Sequence, residues 1–91
     1  MIKNFNHKGL KELFETGLGR RIGQRYRARA IRRLDVLEQA TKPEDMNIPG
    51  FNFHRLNTNP VRYSVHVNGN YCITFGWDGE NAINVDFENY H

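Results

Sequence analysis

Ninety-one residues make one small domain, 1–91, which buries only about two-thirds of the surface its unfolded chain exposes. A mean hydropathy of −0.73 and the lack of any apolar run near the ~18 residues of a helical span exclude a helical membrane protein. The net charge of +3 hides an asymmetry: residues 1–42 set eleven Lys and Arg against four carboxylates (+7), whereas residues 43–91 set two Arg against six (−4).

A basic half with a sequence pI of about 9.3 is the electrostatic footprint of a nucleic-acid partner, although a solvated helix face fits the same charge count. Lys3 and Lys8 are not followed by an apolar stretch, so no signal peptide is expected. Cys72 is the single cysteine, which forbids an intrachain disulfide and suits a reducing cytoplasm.

In chain order, Met1 to Phe5 alternates weakly, as a short edge strand would. Lys8 to Phe14 has apolar residues at helical spacing, and Gly17 and Gly19 are expected to stop that helix. A longer helix is predicted from about Gln24 to Ala40. Tyr26, Ala30, Leu34 and Leu37 form its inward stripe, and Arg21, Arg25, Arg29 and Arg32 repeat on nearly the opposite side. Arginine suits phosphate there, because its planar fork meets two oxygens at once. Pro43 to Asp45 reads as one short turn, and Ile48-Pro49-Gly50 as a connector.

Beyond Gly50 the period changes to two. Phe51 and Phe53, then Val61 to Val67, Tyr71 to Trp77 and Ile83 to Phe87 alternate apolar with polar residues, which predicts four half-buried strands. Around Asn68-Gly69-Asn70, a three-residue loop pairing Val67 with Tyr71, Val65 with Ile73 and Tyr63 with Phe75 keeps one face uniformly apolar. It sets His66 opposite Cys72 and Ser64 opposite Thr74. The expected class is α+β: an antiparallel-rich sheet of four to five strands with the N-terminal helices on one face. The other face presents Arg62, Ser64, His66, Cys72 and Thr74, with His54 near its edge, a platform suited to RNA.

His54 and His91 are the acid–base candidates. Cleavage of RNA by its own 2′-hydroxyl needs one group to take that proton, another to protonate the leaving oxygen, and cations for the phosphorane. Imidazole exchanges protons near neutrality. Spacing alone reads His54 and His66 as ordinary surface histidines of a strand. His7, where a helix begins, reads as structural. The four histidines lack metal-ligand spacing, Cys72 has no cysteine partner, and Gly17-Leu18-Gly19 follows no strand, so neither a metal nor a dinucleotide site is expected.

The chain resembles the HigB family of toxin–antitoxin toxins, the plasmid maintenance killer branch of the RelE-like superfamily, over nearly its full length. Carrying the resemblance are Met1-Ile2-Lys3-Asn4-Phe5, His7-Lys8-Gly9-Leu10 and Leu13-Phe14, then Leu34 through Thr41. His54 with Leu56, Tyr63-Ser64-Val65, Asn70-Tyr71, Ile73-Thr74-Phe75 and the final Tyr90-His91 complete it. It implies a RelE-like fold and a ribosome-dependent endoribonuclease that cuts translated mRNA. It also implies a helix-turn-helix, HigA-like antitoxin that binds operator DNA together with the toxin, and no cofactor.

By position, His54, Tyr90 and His91 match family catalytic residues, with Arg55 and Arg62 expected to hold phosphate and the helix arginines to dock ribosomal RNA. Two positions depart from the pattern. Asn89 stands where Asp commonly precedes the terminal pair, and an amide neither accepts a proton nor supplies a negative charge. Cys72 in Tyr71-Cys72-Ile73 stands where the family usually has Arg. His66, across from Cys72, is the expected compensation. A translation inhibitor that binds the ribosome without cutting, or a repressor partner of the antitoxin, is the other reading.

Overall fold

Residues 1–89 are described by the computed structural model. Helix α1 spans Lys8–Thr16. It begins where His7 Nδ1 accepts from the Leu10 N–H at 3.0 Å, so the structural role expected of His7 is that of a cap. It ends at Gly17, whose φ of 79° lets its N–H turn back to the Leu13 carbonyl at 2.9 Å. A Cβ at Gly17 would meet nothing within 4 Å, so a side chain there costs backbone strain alone. Gly17→Ala is expected to destabilise the fold by about 1–2 kcal/mol, read as a lowered urea midpoint. An unchanged midpoint would contradict this account of the helix end.

Helix α2, Gln24–Gln39, buries Ala30, Leu34 and Leu37 and leaves Arg25, Arg29 and Arg32 exposed, as the two stripes predict. A 3-10 turn, Pro43–Met46, follows it. Strands β1 (His54–Leu56), β2 (Arg62–Asn68), β3 (Tyr71–Trp77) and β4 (Ala82–Asn89) form one antiparallel meander in the order β1-β2-β3-β4. The N-terminal segment lies beside β4 in the parallel sense, joined through bridges of Ile2 to Ala82 and Phe5 to Val85.

The predicted register holds over most of the central hairpin, where Tyr63 pairs with Phe75, Val65 with Ile73, Ser64 with Thr74 and His66 with Cys72. At its tip the expectation is corrected. Asn68, not Val67, pairs with Tyr71, so the loop is Gly69-Asn70 and the extra residue is absorbed as a bulge at Val67. The bulge keeps Val67 fully buried, so the apolar face is preserved without the longer loop. Phe51 and Phe53 also lie before β1 rather than in it. Phe51 fills the core from a loop that is fixed to β2 by the His66 N–H donating to the Phe51 carbonyl at 2.7 Å.

Both helices cover one face of the sheet. Leu10, Leu13, Leu34, Leu37, Val65, Ile73, Phe75 and Val85 meet there at no more than 2% exposure. With that face filled by hydrocarbon, the polar residues of the same strands are left on the opposite, open face.

Candidate active site

On the open face, the register lines up side chains across strands. One row runs His54, Ser64, Thr74, Asp86, and the next runs His66, Cys72, Glu88. Asn52, His54, Leu56, Ser64, His66 and Cys72 line a pocket of about 220 Å³. The two strand histidines singled out from the sequence therefore share one pocket, with His66 directly opposite Cys72 as expected.

Both rings are oriented by backbone carbonyls. His54 Nδ1–H donates to the Asn52 carbonyl at 2.8 Å, and His66 Nε2–H donates to the Gly69 carbonyl at 2.8 Å. A carbonyl can only accept, so each contact fixes the protonated nitrogen and leaves the other, Nε2 in His54 and Nδ1 in His66, to exchange a proton. Asn52 adopts a left-handed conformation (φ 47°), which asparagine tolerates better than most residues. That conformation belongs to the turn that aims its carbonyl at His54.

Arg62 is half-buried on the same face. Its Nη2 donates to Thr74 Oγ1 at 3.0 Å and to the Asn84 carbonyl at 2.8 Å. The Thr74 hydroxyl, 0% exposed, donates in turn to the Glu88 carboxylate. Asn84 has φ 51° at a bulge of β4, and its backbone and side chain pair with Asn4. The bulge turns the Asn84 carbonyl toward Arg62, which places a fixed cation on the sheet face.

Other predicted residues are not brought together with the pocket. Arg55 pairs with Tyr63 and Asn89 pairs with Tyr71; directly opposite residues share a face, so both stand on the helix-bearing side. Arg21, Arg25, Arg29 and Arg32 are exposed on the helix layer. Arg29 Nη1 donates to the Val67 carbonyl at 3.3 Å, and the Arg25 carbonyl accepts from Asn68 Nδ2 at 3.4 Å, so this row borders the β2–β3 hairpin. Tyr90 and His91 lie outside the described residues.

Glu88, Asn52 and Arg33 were missed from the sequence. For Glu88 the signal was present: Asn84, Asp86 and Glu88 alternate with the apolar residues of β4, which puts the carboxylate on the polar face. Among the described residues no three His, Cys, Asp or Glu side chains gather as metal ligands, and no helix is long and apolar enough to cross a membrane.

Two helices backing a four-stranded antiparallel sheet, with histidines and an anchored arginine on the open face, make a small α+β domain consistent with a RelE-like fold. The sequence matches the HigB-like toxin family, described as the RelE-like toxin of the type II toxin–antitoxin system HigB, over residues 3–91, and the chain belongs to that family. The Endoribonuclease HigB of Proteus vulgaris is 35% identical over 92 residues, covering all of both chains.

Proposed function

We propose that the protein is an endoribonuclease toxin that cuts translated mRNA on the ribosome and is neutralised by a helix-turn-helix, HigA-like antitoxin. The observation that carries this reading is the pocket in which His54 and His66 are held in defined tautomers beside Arg62. The family and the endoribonuclease named in Proteus vulgaris support it.

In the proposed reaction the 2′-hydroxyl oxygen attacks its neighbouring phosphorus, and the bond from phosphorus to the 5′-oxygen breaks. One imidazole takes the 2′-hydroxyl proton and another protonates the departing 5′-oxygen, leaving a cyclic phosphate on one fragment and a 5′-hydroxyl on the other. His54 supplies one of these groups through Nε2, and His91, assigned by resemblance, supplies the other. Tyr90 is assigned to stack on or orient a base. Arg62 and His66 balance charge on the phosphorane, with His66 standing in for the cation that Cys72 does not provide. Asn89 takes no proton step. Arg55 and the arginine row of α2 dock the ribosomal RNA backbone, a contact that salt weakens.

His66→Ala is expected to lower the cleavage rate on programmed ribosomes by about 10²-fold. Full activity in His66→Ala, with activity lost in His54→Ala, would refute the compensation by His66. The non-cutting reading is favoured by Cys72 in the pocket, where the family usually has Arg, and by Asn89, an amide where the family commonly has Asp. Mapping mRNA 5′ ends after induction in cells separates the two: new 5′ ends support the nuclease, and arrested translation with intact mRNA supports the blocker.

A further inference from the structure

Arg33 is 7% exposed, beneath the loop that carries Asn52. Among the described residues its partners are carbonyls rather than carboxylates. Nε donates to the His66 carbonyl at 2.8 Å, Nη2 to the Gly50 carbonyl at 3.2 Å, and Nη1 to the Arg29 carbonyl at 3.4 Å. The guanidinium lies over the Phe51 ring at 4.3 Å. Burial, with Arg29 and Arg32 nearby, pulls its pKa below that of a free arginine. Arginine's intrinsic value is so high that the group stays charged at neutral pH.

A buried charge without a counter-charge is costly, and an apolar side chain of similar volume would pack there more cheaply. What arginine adds is a rigid planar fork that reaches two separate stretches of backbone at once. Those stretches are the ones that orient the pocket. The His66 carbonyl belongs to the strand residue whose ring enters it. The Gly50 carbonyl lies two residues before Asn52, whose own carbonyl fixes the His54 tautomer. The His66 N–H to Phe51 carbonyl bond closes the same loop on the same strand.

We propose that Arg33 is a positioning residue for the two pocket histidines, clamping the Gly50–Asn52 loop to β2 so that His54 and His66 keep their ring orientations. The inference rests on the reading of this pocket as the nuclease site. It separates Arg33 from Arg25, Arg29 and Arg32 on the same helix, which are exposed and assigned to docking.

The test uses ¹³C,¹⁵N-labelled full chain, wild type, Arg33→Met and Arg33→Lys. The tautomers of His54 and His66 are read from long-range ¹H–¹⁵N spectra, and kcat and KM are measured on programmed ribosomes. Wild type is expected to show His54 protonated on Nδ1. In both variants the His54 signals are expected to move toward the Nε2–H form that unconstrained histidines favour. A misplaced acid–base group is expected to lower kcat by about 100-fold, while KM for the ribosome changes by less than about 3-fold. Lysine keeps the charge without the fork, so it is not expected to restore either readout.

A folded Arg33→Met protein with wild-type His54 signals and wild-type kcat would overturn the proposal. Should neither variant fold, wild type alone decides: an Arg33 Nε–H resonance coupled across the hydrogen bond to the His66 carbonyl carbon supports the clamp, and its absence overturns it. If wild type cuts no mRNA, the nuclease reading fails while the tautomer spectra still decide what Arg33 does.

Discussion

Replacing His54 by alanine is expected to lower the rate of mRNA cleavage by about 10²–10⁴-fold, the usual contribution of a positioned general acid or base. The fold should survive the change. His54 is exposed at the start of the edge strand β1, its ring is held by a single hydrogen bond to the Asn52 carbonyl, and it lies outside the hydrophobic core. Surface replacements of this kind shift stability by roughly 0.5 kcal/mol or less. Activity and stability therefore separate cleanly in this variant. Cleavage on programmed ribosomes read beside a thermal melt would show the first collapse and the second stay level. A His54→Ala protein that cuts at the wild-type rate would remove His54 from the site.

Phe75→Ala is expected to have the largest effect on stability, a loss of about 3–5 kcal/mol from burying less hydrocarbon and leaving a cavity. Phe75 is 0% exposed on β3, a central strand, with the Tyr63 ring stacked 5.5 Å away on β2. A domain of this size is held by roughly 5–15 kcal/mol in total, so the variant would sit near its unfolding threshold. At about 4–8 °C per kcal/mol, Tm would fall by more than about 12 °C. The pocket would suffer with the core, because Cys72 and Thr74 are the open-face residues of the strand whose inner face Phe75 fills. Urea denaturation checks the expectation, and a loss below about 1 kcal/mol would show that the cavity collapses at little cost.

Strong periodicity made most of the architecture legible. The two stripes of α2 and the pairing of His66 with Cys72 follow from patterns that one register satisfies and its neighbours violate, and the stop at Gly17 from glycine's freedom at a helix end. The bulges were not legible. Alternation gives which face a residue takes, not where a strand absorbs an extra residue, so the loop at Gly69-Asn70 was read one residue too long. The same limit hid the carbonyl of Asn84 as the anchor for Arg62, because that contact depends on a left-handed backbone in the middle of a strand.

Site residues divided along similar lines. His54, His66 and Arg62 reach one face because each keeps its place in the alternation. Arg55 was grouped with them as a cation for phosphate and Asn89 through the family pattern; each lies one step along its strand from an open-face residue, and a step of one residue reverses the face. Arg33 was overlooked because a charged residue in a basic helix reads as solvated. Its spacing argued otherwise: it lies three residues after Ala30 and four before Leu37, both buried.

The most direct test of the account is primer extension on a defined mRNA with purified protein, in the presence and absence of programmed ribosomes. The account predicts new 5′ ends with wild type only when ribosomes are present, and none with His54→Ala or with His91 deleted. Intact mRNA in every lane, with translation nevertheless blocked, would contradict it and leave a protein that occupies the ribosome without cutting.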